Sequence, residues 1–291
     1  MTEDWVTDAL RADVELGAVD VDGVPIHYRA WGEPGDEAGI VLVHGGAAHS
    51  RWWDHIAPFF SADRRVVAID LSGHGDSGRR DEYLMARWAD EVLAVAAHGG
   101  AGPHPLVIGH SMGGMVAITA ARLRGTELAG AVAVDTPFWE DQPEEQAAGA
   151  QQAFGPLRRY DSRESALKRF KLIPEQDGNV AAVYAHIAET SLKEVDGSWT
   201  WKFDPNVFRG RGRPVPLELP QCRVAVFRAE HGLVPLDMGE RIAERLGRVV
   251  PVVEIPLAAH HVMIDQPLSL VTALRTLLAD WTHSEPHKPS A

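Results

Sequence analysis

Cysteine is all but missing from this chain: Cys222 is the only one in 291 residues. A lone thiol cannot close an internal disulfide, so the fold must rest on packing. Placed at the head of the apolar run 223–227, Cys222 reads as a buried or half-buried thiol rather than a catalytic one. No stretch approaches the ~20 consecutive apolar residues of a bilayer-crossing helix. Cations are also scarce. Lys and Arg total 28 against 41 Asp and Glu, a formal net charge of −13, which excludes a nucleic-acid or anionic-membrane footprint. Residues 1–20 are acidic and lack the positive and apolar segments of a leader, so no signal peptide and a cytoplasmic location are expected. The sequence shows no metal-ligand cluster, dinucleotide fingerprint or phosphate loop. The Gly-rich segment 99–102 lacks the Lys-Ser/Thr of such a loop and reads as a helix stop. Neither cofactor nor metal is expected, and the expected partner is a small molecule.

The apolar residues, 45% of the chain, fall into short runs at regular intervals. Segments 14–16 and 24–30, separated by Asp22-Gly23, predict a strand, a turn and a second strand, with Pro25 placing the latter near a sheet edge. Continuous apolar runs at 40–43, 66–69 and 106–108 are those of strands buried on both faces. Run 128–134 continues the series. Between them, 50–59 reads as a short amphipathic helix, and 83–97 and 112–123 as longer ones. Strand and helix alternate, which predicts a mostly parallel sheet with helices on both faces. Beyond Asp135 the rhythm breaks: helical patterns at 142–154, 162–170 and 180–191 and a Trp-rich stretch at 197–203 read as a cap without a buried strand. The core resumes with strands at 224–227 and 249–255 and helices at 237–246 and 267–281, and 284–291 reads as a frayed tail. The expected organisation is core 14–136, cap 137–218 and core 219–282.

One pentapeptide organises the rest. Gly109-His110-Ser111-Met112-Gly113 lies between the run ending at Ile108 and a helix, a G-x-S-x-G turn in which small flanking residues let a serine hydroxyl stand above the sheet. A serine is a weak nucleophile until a base takes its proton and a carboxylate orients that base. His260, after the last strand and before the last helix, is the expected base. His261 competes from the neighbouring position, and His74, in the polar turn 70–77, is a weaker alternative. Two carboxylates stand at strand ends between serine and histidine: Asp135 after run 128–134, and Glu230 after run 224–227. The aromatics Trp53, Phe138, Trp139, Trp199, Trp201 and Phe203 are candidate walls of an apolar substrate pocket, although Trp52 and Trp53 suit a core equally well.

Taken in order, His44-Gly45-Gly46, Asp70-x-x-Gly73-x-Gly75-x-Ser77, Gly109-x-Ser111-x-Gly113 and Ala259-His260 make the chain resemble the alpha/beta-hydrolase family with a helical cap, over about residues 20–282. The resemblance implies Ser111 as nucleophile, His260 as base, and an oxyanion hole from the backbone N–H groups of Gly46 and Met112. The chain departs from the pattern twice. Ala259-His260 replaces the usual Gly-His. The loop after Phe227, where the family carries its aspartate in G-x-x-D, reads Ala229-Glu230-His231-Gly232. Some members take the acid from the end of the strand that follows the nucleophile helix, so Asp135 is preferred over Glu230. Relatives that open epoxides or displace halide have an aspartate in place of the serine, so Ser111 implies attack on a carbonyl. The expected activity is hydrolysis of a carboxylic ester or lactone. The same groups could instead serve carbon–carbon, amide or thioester cleavage, and a non-catalytic binder would not need all three.

Overall fold

The computed structural model describes residues 4–35, 38–137, 157–208, 220–245 and 250–284. Ten strands are present among them: β1 (Glu15–Val21), β2 (Val24–Trp31), β3 (Ile40–Val43), β4 (Val66–Ile69), β5 (Leu106–His110), β6 (Gly130–Val134), β7 (Leu192–Val195), β8 (Ser198–Trp201), β9 (Arg223–His231) and β10 (Val252–Ala259). Eight of these form one sheet in the order β1-β2-β4-β3-β5-β6-β9-β10. Pairing is antiparallel for β1/β2 and β2/β4 and parallel from β4 through β10.

Continuous apolar strands are explained by what lies on each side. Along β3, β4 and β5 every residue is buried, and successive residues alternate between two cores. Val41, Val43, Val67, Ile69 and Val107 pack with Trp88, Val92, Val116 and Ala117 of the helices Met85–His98 and Met112–Arg124. Ile40, Leu42, Val66, Ala68 and Ile108 pack on the other face with Leu270 and Leu274 of the helix Pro267–His283. A strand side chain points to one face or the other with period two, so only a sheet covered on both faces makes every position apolar. The result is the alpha/beta-hydrolase fold with an inserted cap region, between β6 and β9.

Three expectations of local structure need correction. Residues 50–59 form two 3-10 turns, Ser50–Trp53 and Ala57–Phe59, because Pro58 leaves too few residues for a regular helix. The Trp-rich stretch is not loose: β7 and β8 pair antiparallel about Asp196-Gly197, both at positive φ. Strand β10 runs on to Ala259 across Pro256, with a register shift after Ile255. The helical pattern at 142–154, with Phe138 and Trp139, lies outside the described residues.

The cap is tied to the core by buried polar contacts. His186, on the helix Ala181–Thr190, meets Asp54 at 2.9 Å, and Asp54 also takes a 2.7 Å bond from Arg29 Nε. His49 Nε2 meets Ser191 Oγ at 2.9 Å. Backbone bonds join Gly75 to Lys202 and Asp204 to Gly73, each 2.7 Å, so the cap also rests on the glycine-laced turn 70–77. In that turn Asp70 accepts from the backbone N–H groups of Ser50 and Asp76, and Ser77 Oγ donates to the Asp70 carbonyl. Among the described residues, no helix is long and apolar enough to cross a membrane.

Candidate active site

Strand β5 ends at His110, and the chain turns into the helix Met112–Arg124 in a single residue, Ser111, held at φ 53 and ψ −118. Such a backbone costs on the order of 1–3 kcal/mol and persists only where its surroundings enforce it. The glycines are the reason it can exist here. A Cβ on Gly109 would overlap the Gly113 backbone, and one on Gly113 would overlap the carbonyls of Val43 and His44. The flanking glycines therefore let helix and strand ends close to backbone contact, and the serine side chain is left half-exposed at the C-terminal edge of the sheet.

His260 reaches the same edge from β10. Its Nε2 lies 3.1 Å from Ser111 Oγ and its Nδ1 lies 2.7 Å from Asp135 Oδ2. Asp135 follows β6 directly and is fully buried. Its carboxylate also accepts from the N–H groups of Ala229 at 3.1 Å and Leu233 at 2.8 Å. Burial works to raise this carboxyl, but the hydrogen bond and charge of His260, with the two backbone donors, outweigh it and hold its pKa below the ordinary value. An ionised carboxylate only accepts, so the proton sits on Nδ1 and the Nε2 lone pair faces the serine hydroxyl.

Glu230 does not join this chain of bonds. Its Oε2 accepts from the Leu257 N–H at 2.7 Å, at the register shift where Leu257 takes φ 60. The Arg228 side chain pairs with Glu254 and donates to the backbone carbonyls of Val234 and Glu230, not to the Glu230 carboxylate. Glu230 thus fixes the bulge from which His260 emerges. Other groups hold the same loop: Asp265 Oδ2 accepts from Ala259 N at 2.6 Å, Gln176 Oε1 from His261 N at 2.7 Å, and His55 Nε2 meets the Met263 carbonyl at 2.6 Å.

Two further histidines are structural. His44 Nδ1 donates to the Gly45 carbonyl at 2.7 Å and its Nε2 accepts from Leu71 N at 3.1 Å, fixing the loop that carries Gly45 and Gly46. His74 lies against His44 and Trp88, with Nδ1 at 3.3 Å from the Ser72 carbonyl. His110 was not singled out by the sequence. It is buried beside Ser111, its ring centroid 4.7 Å from that of His260, and its Nε2 donates to the His260 carbonyl at 2.8 Å. Burial, then the charge of His260, lowers its pKa to about 3. The same two causes hold His261 well below its usual range. One nitrogen from each of His110, His260 and His261 falls within 4.8 Å of the others.

A cavity of about 740 Å³ opens between cap and core, within the roughly 300–1,000 Å³ of small-molecule sites. Gly46, Ala47 and His261 line its core side, and Trp52, Phe170, Trp201 and Phe203 are among its apolar walls. Gly45, next to Gly46, stands against Ser111: a Cβ built on it would lie 3.4 Å from Ser111 Cβ. Of the expected aromatic walls, Trp201 and Phe203 line the cavity. Trp53 does not: it is fully buried in the core, since neighbouring side chains on a 3-10 turn diverge and Trp52 takes the cavity side. Trp199 also stands off the cavity, two residues nearer the hairpin tip than Trp201 and paired through its backbone with Tyr160.

Comparison with known proteins decides the lineage. Residues 40–274, well over half the chain, match the model of the "Alpha/beta hydrolase family". The chain belongs to the alpha/beta-hydrolase family. Within it, a pimeloyl-[acyl-carrier protein] methyl ester esterase of Edwardsiella ictaluri is 35% identical over 95 residues, 33% of this chain and 35% of that protein. A bifunctional esterase/perhydrolase of Acinetobacter calcoaceticus is 40% identical over 116 residues, 39% and 41% of the two chains. By these matches the chain spans about a third of the length of the first of these curated relatives. Among solved structures, E-2-(acetamidomethylene)succinate hydrolase superposes with a TM-score of 0.80 at 20% identity, covering 92% of this chain and 100% of that one. The thioesterase domain from the curacin biosynthetic pathway gives 0.73 at 19% identity, covering 90% and 99%. At such identities the two structures speak for the fold alone.

Proposed function

We propose that this alpha/beta-hydrolase family member hydrolyses a carboxylic ester or lactone through an acyl-enzyme on Ser111. The observation that carries the reading is the pair of bonds at His260, 3.1 Å to Ser111 Oγ and 2.7 Å to a buried, ionised Asp135. His260 Nε2 takes the hydroxyl proton as Oγ adds to the substrate carbonyl. Asp135 stabilises the imidazolium so formed and keeps the ring in the tautomer that can accept. Oxyanion charge is met by the N–H of Met112, the first residue of its helix and so without an intrahelical acceptor, and by the N–H of Gly46. The tetrahedral adduct collapses, the C–O bond breaks, and His260 returns its proton to the leaving alcohol. Water then repeats the sequence on the acyl-enzyme, giving the free acid and restoring the serine.

Support comes from three directions. The strained φ and ψ of Ser111 are a cost that binding alone would not require. Trp201, Phe203, Trp52 and Phe170 offer apolar walls to a hydrophobic substrate. Two partial relatives are named as esterases.

The test is direct. A fluorophosphonate should label the wild-type protein on Ser111, located by peptide mass spectrometry, and a panel of simple esters and lactones should be cleaved by wild type and not by Ser111→Ala. Labelling elsewhere, or undiminished turnover by the alanine variant, would overturn the reading.

A further inference from the structure

The cavity wall carries a charge pattern opposite to that of the chain. Acidic residues outnumber basic ones 41 to 28 overall, yet no described residue that lines the cavity is Asp or Glu, while Arg158, Lys168, Arg169 and Lys171 all do. Two of these cations are spoken for. Lys168 pairs with Glu164 at 2.7 Å and Lys171 with Glu175 at 2.9 Å, both exposed i,i+4 pairs. Among the described residues, Arg158 and Arg169 have no carboxylate partner.

Their backbones are fixed. The Arg158 carbonyl accepts from Thr200 Oγ1 at 3.1 Å, next to the bridge that joins Tyr160 to Trp199. Arg169 N donates to the Ala166 carbonyl at 2.8 Å, at the end of the helix Arg163–Leu167. Both arginines are exposed, and these backbone bonds place them at the rim of the cavity with their guanidinium groups open to solvent. Inside it stand aromatic rings, with that of Trp201 centred 5.9 Å from those of both Tyr160 and Phe170. The core side of the cavity is Gly46 and Ala47, which follow the Gly45 that stands against Ser111, and His261, which burial keeps neutral.

From this we infer that the substrate is an amphiphilic anion: an ester whose hydrocarbon part crosses the aromatic wall and ends in a carboxylate or phosphate held by Arg158 and Arg169. The inference rests on the ester-hydrolase reading and deepens it. Guanidinium is suited to both anions, because its planar fork matches their paired oxygens. At an exposed rim the attraction works through a high dielectric and is screened by salt over a Debye length of about 8 Å at physiological ionic strength.

Four methyl esters of one chain length separate the possibilities: monomethyl suberate, methyl 8-phosphonooctanoate, methyl octanoate and methyl 8-aminooctanoate. We expect kcat/KM for at least one of the two anionic esters to exceed that of the amino ester tenfold or more, mostly through KM. The preference should shrink severalfold between 20 mM and 500 mM NaCl. The suberate and phosphono esters tell which anion is preferred. In the double variant Arg158→Gln/Arg169→Gln the ratio of anionic to neutral ester should collapse toward one, a ratio that a general loss of folding or turnover would not produce. Binding of the same esters to Ser111→Ala by calorimetry reads the rim without catalysis. Cleavage of methyl octanoate with no preference for anions would overturn this inference and leave the ester reading standing. Arginine-dependent binding of the half-ester with no turnover of any ester would do the reverse.

Discussion

Gly232 is packed against the carboxylate of Asp135 so closely that a Cβ on the glycine would overlap both carboxylate oxygens. The loop after β9 is thus where the family's usual acid would enter, and here it has become a wall and a donor for an acid supplied by β6. Leu233 N from this loop and Ala229 N from within β9 both donate to Asp135.

The first expectation concerns that acid. Asp135→Asn keeps the shape but loses the charge and can present the wrong tautomer of His260, a change that costs on the order of 10⁴ in turnover in triads of this type. Glu230→Gln can still accept from Leu257 N through its amide oxygen, and should lower kcat/KM less than about tenfold. Both variants, checked by circular dichroism, are measured on one ester. A crippled Glu230→Gln beside a nearly normal Asp135→Asn would reverse the assignment.

Gly232→Ala tests the wall. An inserted methyl group must displace the Asp135 carboxylate or the loop, and overpacking of this kind costs about 1–3 kcal/mol. We expect a lower Tm together with a loss in kcat that exceeds any change in KM, because the displaced group orients the base and does not touch substrate. An alanine variant with normal kcat would show that the carboxylate can shift without consequence.

How much of this was legible in the sequence follows from what each signal measures. The parallel core was plain, because strands buried on both faces must be apolar throughout, as in Ile40–Val43 and Val66–Ile69. The serine and the two strand-end acids were legible because the turn chemistry is local. The choice between Asp135 and Glu230 was a matter of strand order, which puts β6 beside β5 and β9 next to it. Proximity to His260 then depended on a bulge in β10 that no periodicity announces. His110 was hidden in plain view, since its bond to the His260 carbonyl spans 150 residues. Trp52 and Trp53 were indistinguishable by composition, and only the direction of a 3-10 turn separates them.

That separation gives the next expectation. Trp53→Ala removes a fully buried ring and should cost about 3–5 kcal/mol of stability, with KM for short esters little changed in whatever fraction stays folded. Trp52→Ala opens a cavity wall and removes the edge contact with His261, whose ring centroid lies 5.5 Å away. It should leave stability closer to wild type and shift the preferred acyl length upward. Denaturant unfolding and a chain-length series on both variants check the contrast.

The last expectation is a pH dependence with two opposing parts. Asp135 has its pKa lowered in the folded state by His260 and two backbone donors that outweigh burial, so it contributes stability above the unfolded value of 3.8, lost as pH falls through the folded value. Asp265 runs the other way. Burial raises it to about 6, against the backbone N–H groups of Ala259, Asp265 and Gln266 that favour its charged form. A carboxyl raised in this way contributes stability that is fully present below pH 3.8 and lost as pH rises through about 6. Asp265→Asn keeps an oxygen for Ala259 N but cannot ionise. Its Tm should therefore gain on that of wild type as pH rises from about 4 to about 6, and run parallel to it above that. Asp135→Asn should instead lose ground to wild type as pH rises from 3 to 5. Thermal melts of the three proteins across that range decide it: parallel Tm profiles for Asp265→Asn and wild type would mean that Asp265 titrates alike in the folded and unfolded chain.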